Sequence, residues 1–235
     1  MSKRVSNPKC ASCGARHKSV FCTLETQQLF SLDEEKSCDI YAKGEMIFRE
    51  GSYPRGLFCV NKGKIKLSRT GAGGREQILR FATAGDVMGY NSMLSNKPLV
   101  ATATALEEAS ICFIPAKQFF GFLKEDPRFS LNMLELTAKN WHAASQLLTD
   151  MAQKSSKQRL AEVLLWLKET FGLDEDDCID VRLSREEIAG IVGTATEAVI
   201  RLLSDLNKKG LIHLEGKKIR LVDIHGLATL AELND

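Results

Sequence analysis

Seven cysteines, Cys10, Cys13, Cys22, Cys38, Cys59, Cys112 and Cys178, are the residues of this 235-residue chain best suited to chemistry. Cys10-x-x-Cys13 followed by Cys22 concentrates three soft donors near the N-terminus, and thiolates suit zinc or iron–sulfur clusters. Cys10, Cys13, His17 and Cys22 also have workable zinc spacing. The segment before Cys10 is polar and has no signal-peptide core, so a cytoplasmic setting is expected. Thiols stay reduced there, and an odd count agrees that no disulfide framework is present. Cys38, Cys59 and Cys178 read as small structural core residues. His17, His142, His213 and His225 are scattered, and no nucleophile–base set can be assembled from them. No enzyme is expected.

A second chemical surface lies between Leu183 and Leu221. Ser184-Arg185-Glu186-Glu187 is a capping box, in which Ser184 bonds the N–H of Glu187 and Glu187 reaches back. Ile188, Ala189 and Val192 give the short helix one apolar face, and Gly193 ends it. Thr194 or Thr196 can cap a second helix that stops at Gly210, a natural left-handed position. On a wheel of about 100° per residue, Ala198, Val199, Leu202, Leu203 and Leu206 share one side. Glu197, Ile200, Arg201, Ser204 and Lys208 share the other. Arg201 can donate a bidentate pair to guanine, Glu197 can accept from cytosine N4, and Ile200 can touch a thymine methyl. Ile212-His213-Leu214 and Ile219-Arg220-Leu221 then alternate around a turn that carries Lys217 and Lys218, cations suited to phosphates. Caps, wheel and hairpin together describe a winged helix-turn-helix that reads double-stranded DNA. The rival reading is a surface helix pair in which Glu197 and Arg201 merely pair with each other four residues apart.

The remaining elements must carry these two surfaces. A net charge of +2, with 44% hydrophobic and 26% charged residues, is an ordinary globular balance, so DNA binding has to rest on local features. No apolar run is long enough to span a membrane. Residues 25–125 punctuate short alternating segments such as Lys64–Ser68 with glycines, a β-barrel or jelly-roll pattern. Residues 126–153 form one long helix with two apolar stripes. Phe129, Met133, Leu136, Asn140, Ala143 and Leu147 follow coiled-coil spacing. Leu134, Ala138, Trp141, Ser145, Leu148 and Ala152 lie beside them. One stripe is expected to face its own domain and the other a partner subunit. Residues 1–24 form a Cys-containing lead with little core-forming potential, and residues 154–235 form the DNA-binding domain. The fold class is α+β.

Several segments resemble the family of the cyclic-AMP receptor protein and the fumarate–nitrate reduction regulator. They are Lys43–Gly51, Leu57–Lys66, Gly85–Gly89, the Ala105–Pro115 stretch, and Glu197 with Arg201 in the recognition helix. The resemblance covers nearly the whole chain. It implies a cyclic-nucleotide-binding-like β-roll, a long dimerisation helix and a winged helix-turn-helix. It further implies a homodimer on a near-palindromic operator that recruits or blocks RNA polymerase. Phe129, Met133, Leu136, Asn140, Trp141, Ala144, Leu147 and Leu148 are the expected dimer residues.

The resemblance also bears on the signal. The family's cyclic-nucleotide pocket uses a Glu shortly after the Gly89 position and an Arg-Ser pair for the phosphate. Here Tyr90 follows Gly89, and Leu99-Val100 precede Ala101, so cyclic AMP is not the expected ligand. Ala105–Pro115 is similar to the segment around the fourth cluster cysteine of the oxygen-sensing branch. By that likeness Cys10, Cys13, Cys22 and Cys112 would hold a [4Fe–4S] cluster sensitive to oxygen or nitric oxide. Eight residues separate Cys13 from Cys22, where that regulator has five. Zinc or thiol redox chemistry at the same cysteines, haem, and an ordinary core role for Cys112 stay open. Ala144 stands where those relatives carry an acidic residue, so the dimer is expected to persist without the cluster. Ile200 replaces the Ser before the recognition Arg, so their half-site is not carried over.

Overall fold

The computed structural model describes residues 3–4, 8–71 and 73–233. Residues 1, 2 and 5–7 of the N-terminal lead and 234–235 of the DNA-binding domain lie outside them. The chain divides into two compact units. Residues 1–69 with 79–142 form one, and residues 70–78 with 143–235 form the other. The tip of one hairpin therefore groups with the C-terminal unit, a grouping that local sequence pattern did not suggest.

The first unit opens with β1 (Lys3–Arg4) and three 3-10 turns, Cys10–Ser12, Gly14–Lys18 and Val20–Thr23. Next come α1 (Thr26–Glu35), β2 (Ser37–Tyr41), β3 (Met46–Phe48), β4 (Gly56–Lys62), β5 (Ile65–Thr70) and β6 (Glu76–Ala82). It continues with β7 (Val87–Met88), α2 (Tyr90–Leu94), β8 (Thr102–Ala105), β9 (Ala109–Pro115) and α3 (Ala116–Glu125). The long helix α4 (Pro127–Gln153) then spans both units. The strands form two sheets, ordered β1-β2-β9-β4-β7 and β3-β8-β5-β6. This is the jelly-roll class expected from the short, glycine-punctuated strands.

Side chains alternate across the first sheet and divide its two faces. Val60 and Ile111 turn inward to a cluster with Phe48, Ile65, Leu67 and Leu99. Leu57 and Ile114 turn outward to a second cluster with Leu29, Leu32, Phe119, Phe122, Phe129 and Met133 from the helices. Phe21 and Leu24 join that outer core with only 3% and 4% of their surface exposed. The lead was expected to contribute little to the core. Its correction has a simple cause: two large apolar residues suffice to seat a short segment once a sheet face is waiting for them. At the β4–β5 turn, Gly63 has φ 103°, and an added Cβ would lie 2.6 Å from that of Ala109. Only glycine fits there.

Asp126 fixes the start of α4. Its carboxylate accepts from the backbone N–H of Arg128 at 2.9 Å and of Phe129 at 3.2 Å. Burial alone would raise its pKa, but these N–H bonds, Gln28 and Arg128 hold it below the ordinary 3.8. A depressed carboxylate pKa contributes stability above its unfolded value, and that contribution is lost as pH falls through the lower folded value. Asp126→Ala should therefore cost about 0.5–2 kcal/mol at neutral pH. It should also flatten the acid limb of stability below pH 3.8. Urea titrations at neutral and acid pH read both effects, and an unchanged acid limb would show that the cap contributes nothing.

Two stripes run along α4, as expected, but they divide differently. Phe129 and Met133 are 0% and 2% exposed, and Leu136 packs on the same cluster. The Asn140 amide donates to the Tyr90 hydroxyl. These four residues face their own domain, so their placement among the dimer residues is corrected. Phe129 must fill the space between α3 and the lead, which heptad spacing alone does not reveal. The other stripe is open: Leu134 is 67%, Trp141 73% and Leu148 72% exposed, and Ala138 and Ala144 are exposed with them.

Candidate nucleic-acid interface and cysteine site

The second unit holds α5 (Ser156–Phe171), α6 (Arg185–Val192), α7 (Thr196–Lys208), β10 (Ile212–Glu215), β11 (Lys218–Leu221) and α8 (Ile224–Leu230). The capping box at α6 is formed. Glu187 N–H donates to Ser184 Oγ at 3.0 Å, and Ser184 N–H donates to Glu187 Oε2 at 2.8 Å. Gly193 ends the helix at φ 69°, where an added Cβ would sit 2.9 Å from Met151 Sδ. The cap of α7 differs from expectation. Its N-cap is Ala195, with no side-chain cap bond, so neither Thr194 nor Thr196 serves. The tight turn after Gly193 starts the helix one residue later than the Thr194 hydroxyl could reach. Gly210 has φ 70°, the left-handed conformation anticipated there.

The α7 wheel holds residue by residue. Val199, Leu203 and Leu206 are buried, and Ala198 and Leu202 are half-buried beside them. Glu197, Ile200, Arg201, Ser204 and Lys208 are all exposed, Ile200 at 50%. Among the described residues no ion pair joins Glu197 to Arg201. The open face therefore keeps its donors, its acceptors and one apolar side chain for another molecule. Behind it, the Lys157 ammonium bonds the Asp205 carboxylate at 2.6 Å and ties α5 to α7.

β10 and β11 pair antiparallel with Glu215 opposite Lys218, so Gly216 and Lys217 make the two-residue turn. Lys217 is exposed. Lys218 is half-buried and paired to the Asp176 carboxylate, which raises its pKa. Arg220 Nε donates to the Asp176 carbonyl at 3.1 Å. The acidic loop at 174–177 is thus a brace for the hairpin, a role its composition did not announce. Arg182 pairs with Asp174 in the same brace. Arg185 also escaped notice in the sequence. One guanidinium nitrogen donates to the Gly216 carbonyl at 2.8 Å, while Nη1 is buried with no hydrogen-bond partner among the described residues. Burial pushes its pKa down. A basic residue directly after a helix cap was the available signal.

The cysteine site belongs to the first unit. In the β2–β9–β4 register Cys38, Cys112 and Cys59 stand directly opposite one another, so all three project from the outer face. Cys38 and Cys112 form a disulfide. A reduced set was expected, with Cys38 an isolated core residue; strand register, which joins residues 74 apart in sequence, overturns that. Cys10, Cys13, Cys59 and Cys112 line one cavity with Arg16, Ser19, Lys36 and Asn61. Lys36 Nζ donates to Cys10 Sγ at 2.8 Å and pairs with Asp33. Cys13 Sγ donates to Asn61 Oδ1 at 3.3 Å. Burial pushes the Cys10 thiol up to about 11 despite Lys36, and the Cys59 thiol to about 12. Cys59, assigned earlier to structure alone, thus belongs to the cavity wall.

Cys22 does not line this cavity. It is exposed, and its sulfur lies 3.9 Å from the Asn132 amide. His17 is exposed as well. Among the described residues no group of three or more His, Cys, Asp or Glu side chains is arranged to hold a metal ion. The donors are soft enough for a cluster, but as arranged they do not fit one: Cys112 is bonded to Cys38 and Cys22 lies apart. The zinc set of Cys10, Cys13, His17 and Cys22 is likewise not brought together. Cys178 is buried and bridges Arg220, in keeping with a structural role.

The inside of the roll is apolar. Leu99 and Ala101 are each 5% exposed and pack with Phe48, Val60 and Met88, while Tyr90 is buried on the outer side. A cyclic phosphate held against Leu99 and Ala101 would lack a charged partner. Among the described residues no helix is long and apolar enough to cross a membrane.

Comparison with known proteins extends this picture. Residues 39–126 match the cyclic nucleotide-binding domain family, and residues 158–230 match the Crp-like helix-turn-helix domain family. Electron transport regulator A of Shewanella oneidensis is 30% identical over 94% of this chain and 90% of its own. Transcriptional activator protein FnrA of Stutzerimonas stutzeri is 28% identical over 94% and 92%. A CRP-like cAMP-activated global transcriptional regulator of Mycobacterium tuberculosis is 28% identical over 90% and 96%. The solved structure of FixK2 from Bradyrhizobium japonicum superposes with TM-score 0.75 at 23% identity, covering 85% of this chain and 99% of that one. At that identity the structural likeness shows the fold alone.

Proposed function

Because the chain belongs to the CRP/FNR family of DNA-binding transcription regulators, we propose that it binds a near-palindromic operator as a homodimer and reads bases through Glu197, Ile200 and Arg201. The observation that carries this reading is the α7 face, where five residues suited to groove contacts stay exposed while their neighbours are buried. Arg201 donates to guanine, Glu197 accepts from cytosine, and Ile200 packs on a thymine methyl. Ser204 and Lys208, farther along the helix, and Ser184 at the α6 cap serve the backbone. Lys217 anchors phosphate at the wing, with Arg185 beside the turn. Lys218 acts through its pair with Asp176, orienting the hairpin. The regulator's action falls on RNA polymerase, recruited or blocked at the bound site.

Arg201→Ala should cost about 1–3 kcal/mol on the specific site and relax preference at one base position. Lys217→Ala should weaken binding to every sequence and lower the salt slope by about 1. Fluorescence anisotropy on selected and scrambled duplexes over a salt series separates the two effects. Equal losses on both duplexes for Arg201→Ala would remove it from the base readers.

For the signal, we propose an oxygen-responsive cysteine site on the β-roll. FNR-like relatives support that role, and Cys10, Cys13 and Cys112 sharing one cavity supports it independently. In the iron–sulfur form of the proposal, Cys10, Cys13, Cys22 and Cys112 are the ligands. That form requires Cys112 to leave Cys38 and Cys22 to move onto the cavity. Anaerobic purification with iron and acid-labile sulfide assays tests it, beside Cys112→Ala. Stoichiometric zinc without sulfide would replace the cluster with a thiolate zinc site. Cyclic AMP is not proposed as the effector, because Leu99 and Ala101 occupy the wall that its phosphate would need.

A further inference from the structure

The three opposed cysteines of β2, β9 and β4 are more than a ligand set needs. Only Cys112 belongs to the set proposed above, and it is bonded to a residue outside that set. In an antiparallel sheet the N–H and C=O of one residue both point to the same neighbouring strand. Cys112 therefore makes a hydrogen-bonded pair on one side and a non-hydrogen-bonded pair on the other. The Cys38 and Cys112 Cα atoms are 4.1 Å apart, the close spacing of the non-hydrogen-bonded kind. Cys59 must then be the wider partner, at about 5.5 Å by general geometry. Backbone register thus selects Cys38 over Cys59 as the partner of Cys112.

Access differs between the two bonded residues. Cys112 lines the cavity and is 8% exposed, whereas Cys38 is 3% exposed and does not line it. A small oxidant entering beside Lys36 and Cys10 meets Cys112 first, with Cys38 directly behind it.

We propose that Cys38 and Cys112 are an oxidant-reading site in their own right, a reversible dithiol–disulfide pair that withdraws Cys112 from metal binding. The oxidant class is a small hydroperoxide, with hydrogen peroxide as the probe. The Cys112 thiolate attacks the peroxide, the O–O bond breaks, hydroxide leaves, and Cys112 becomes a sulfenic acid. The Cys38 thiolate then attacks that sulfur, an S–S bond forms, and the S–O bond breaks with loss of water after protonation. In balance, two thiols and one hydrogen peroxide give one disulfide and two waters. Thiol reductant returns both thiols. A sulfur bonded to Cys38 is no longer a thiolate donor, so the disulfide and ligation by Cys112 exclude each other. The effect on metal uptake rests on the cysteine reading above; the disulfide itself does not.

The test starts from full-length protein, reduced and freed of metal. It is treated with one equivalent of hydrogen peroxide, alkylated, digested and mapped by mass spectrometry. Parallel samples are incubated anaerobically with ferrous iron and sulfide, with and without prior thiol reduction. The expected result is a Cys38–Cys112 cross-linked peptide, loss of iron and sulfide uptake, and recovery of uptake after reduction. Cys38→Ala should take up iron and sulfide like the wild type before peroxide, and after peroxide should give no cross-linked peptide but a Cys112 sulfenic acid trapped by dimedone; Cys38→Val provides a second apolar replacement should the first misfold. In the wild type, cross-links from Cys112 to Cys59 or over-oxidised Cys112 without a cross-link would each overturn the assignment, as would an unmodified Cys112 thiol in peroxide-treated Cys38→Ala. If reduced wild-type protein takes up no iron at all, the cluster form of the proposed function fails, and the peptide map still decides whether Cys38 and Cys112 are the reading pair.

Discussion

Replacing Trp141 by Asp should leave the protein folded but monomeric, and should lower its affinity for a two-half-site operator by about 10²–10⁴-fold. Trp141 is 73% exposed on α4, between Leu134 at 67% and Leu148 at 72%, with Ala138 and Ala144 beside them. An apolar stripe of that length on a solvent-facing helix has no reason to exist in a monomer. In the proposed homodimer a second copy of the same stripe would cover it in the coiled-coil manner, small residues letting the helices approach and Leu134, Trp141 and Leu148 filling the seam. A carboxylate at the centre would be buried without a partner in that seam, which a dimer does not tolerate. The operator effect follows because two linked recognition helices bind as one unit, whereas a monomer pays the full cost of association at each half-site. Sedimentation equilibrium gives the mass, circular dichroism the fold, and anisotropy on full-site and half-site duplexes the affinity. A Trp141→Asp protein that remains dimeric, with unchanged operator binding, would exclude this stripe as the interface. With Ala144 where a charge would oppose association, the proposed dimer is expected to persist whatever the state of the cysteines.

Phe129→Ala should destabilise the first unit by about 3–5 kcal/mol, without changing the mass of the folded species. Phe129 is fully buried, and three rings surround it. Their centroids lie at 5.5 Å for Phe21, 5.7 Å for Phe122 and 6.0 Å for Phe119. One side chain therefore joins the lead, α3 and α4, and deleting its ring opens a cavity that three separate elements would have to close. Asp126 holds the backbone of Phe129 at the helix start, which limits that relaxation. Urea unfolding followed by circular dichroism reads the loss, and the Phe21→Ala variant should lose less because among the described residues its ring meets only that of Phe129. A cost below about 1 kcal/mol for Phe129→Ala would mean that the site collapses freely, contrary to the packing. The contrast with Trp141 is the useful part. Two aromatic residues on one helix should separate cleanly, one governing stability and the other association.

Heptad spacing could not make that separation. Phe129, Met133, Leu136 and Asn140 have the better coiled-coil pattern, yet they pack inside their own domain. Periodicity reports that a face is buried and is silent about what buries it. The Thr194 and Thr196 caps erred for a smaller reason: several hydroxyls stood near the helix start, and the turn after Gly193 decided which backbone position became the cap. The role of Lys218 depended on Asp176, 42 residues away.

The helix-turn-helix was legible because its determinants are local. A capping box spans four residues, an amphipathic helix repeats every 3.6, and a two-residue turn sets its own hairpin register. Ser184, the Glu197–Lys208 face and the Gly216–Lys217 turn could therefore be placed from the chain alone. The cysteines are the opposite case. Cys10, Cys13 and Cys22 advertise themselves by spacing, but the bond from Cys112 to Cys38, the membership of Cys59 in the cavity wall and the absence of Cys22 from it depend on strand register and on how the lead is seated. Those are contacts between residues tens of positions apart, and only burial of the sheet's outer face brings them together. By itself the sequence determined which side chains the second helix of the helix-turn-helix leaves open; the tertiary structure decided which sulfur atoms can meet.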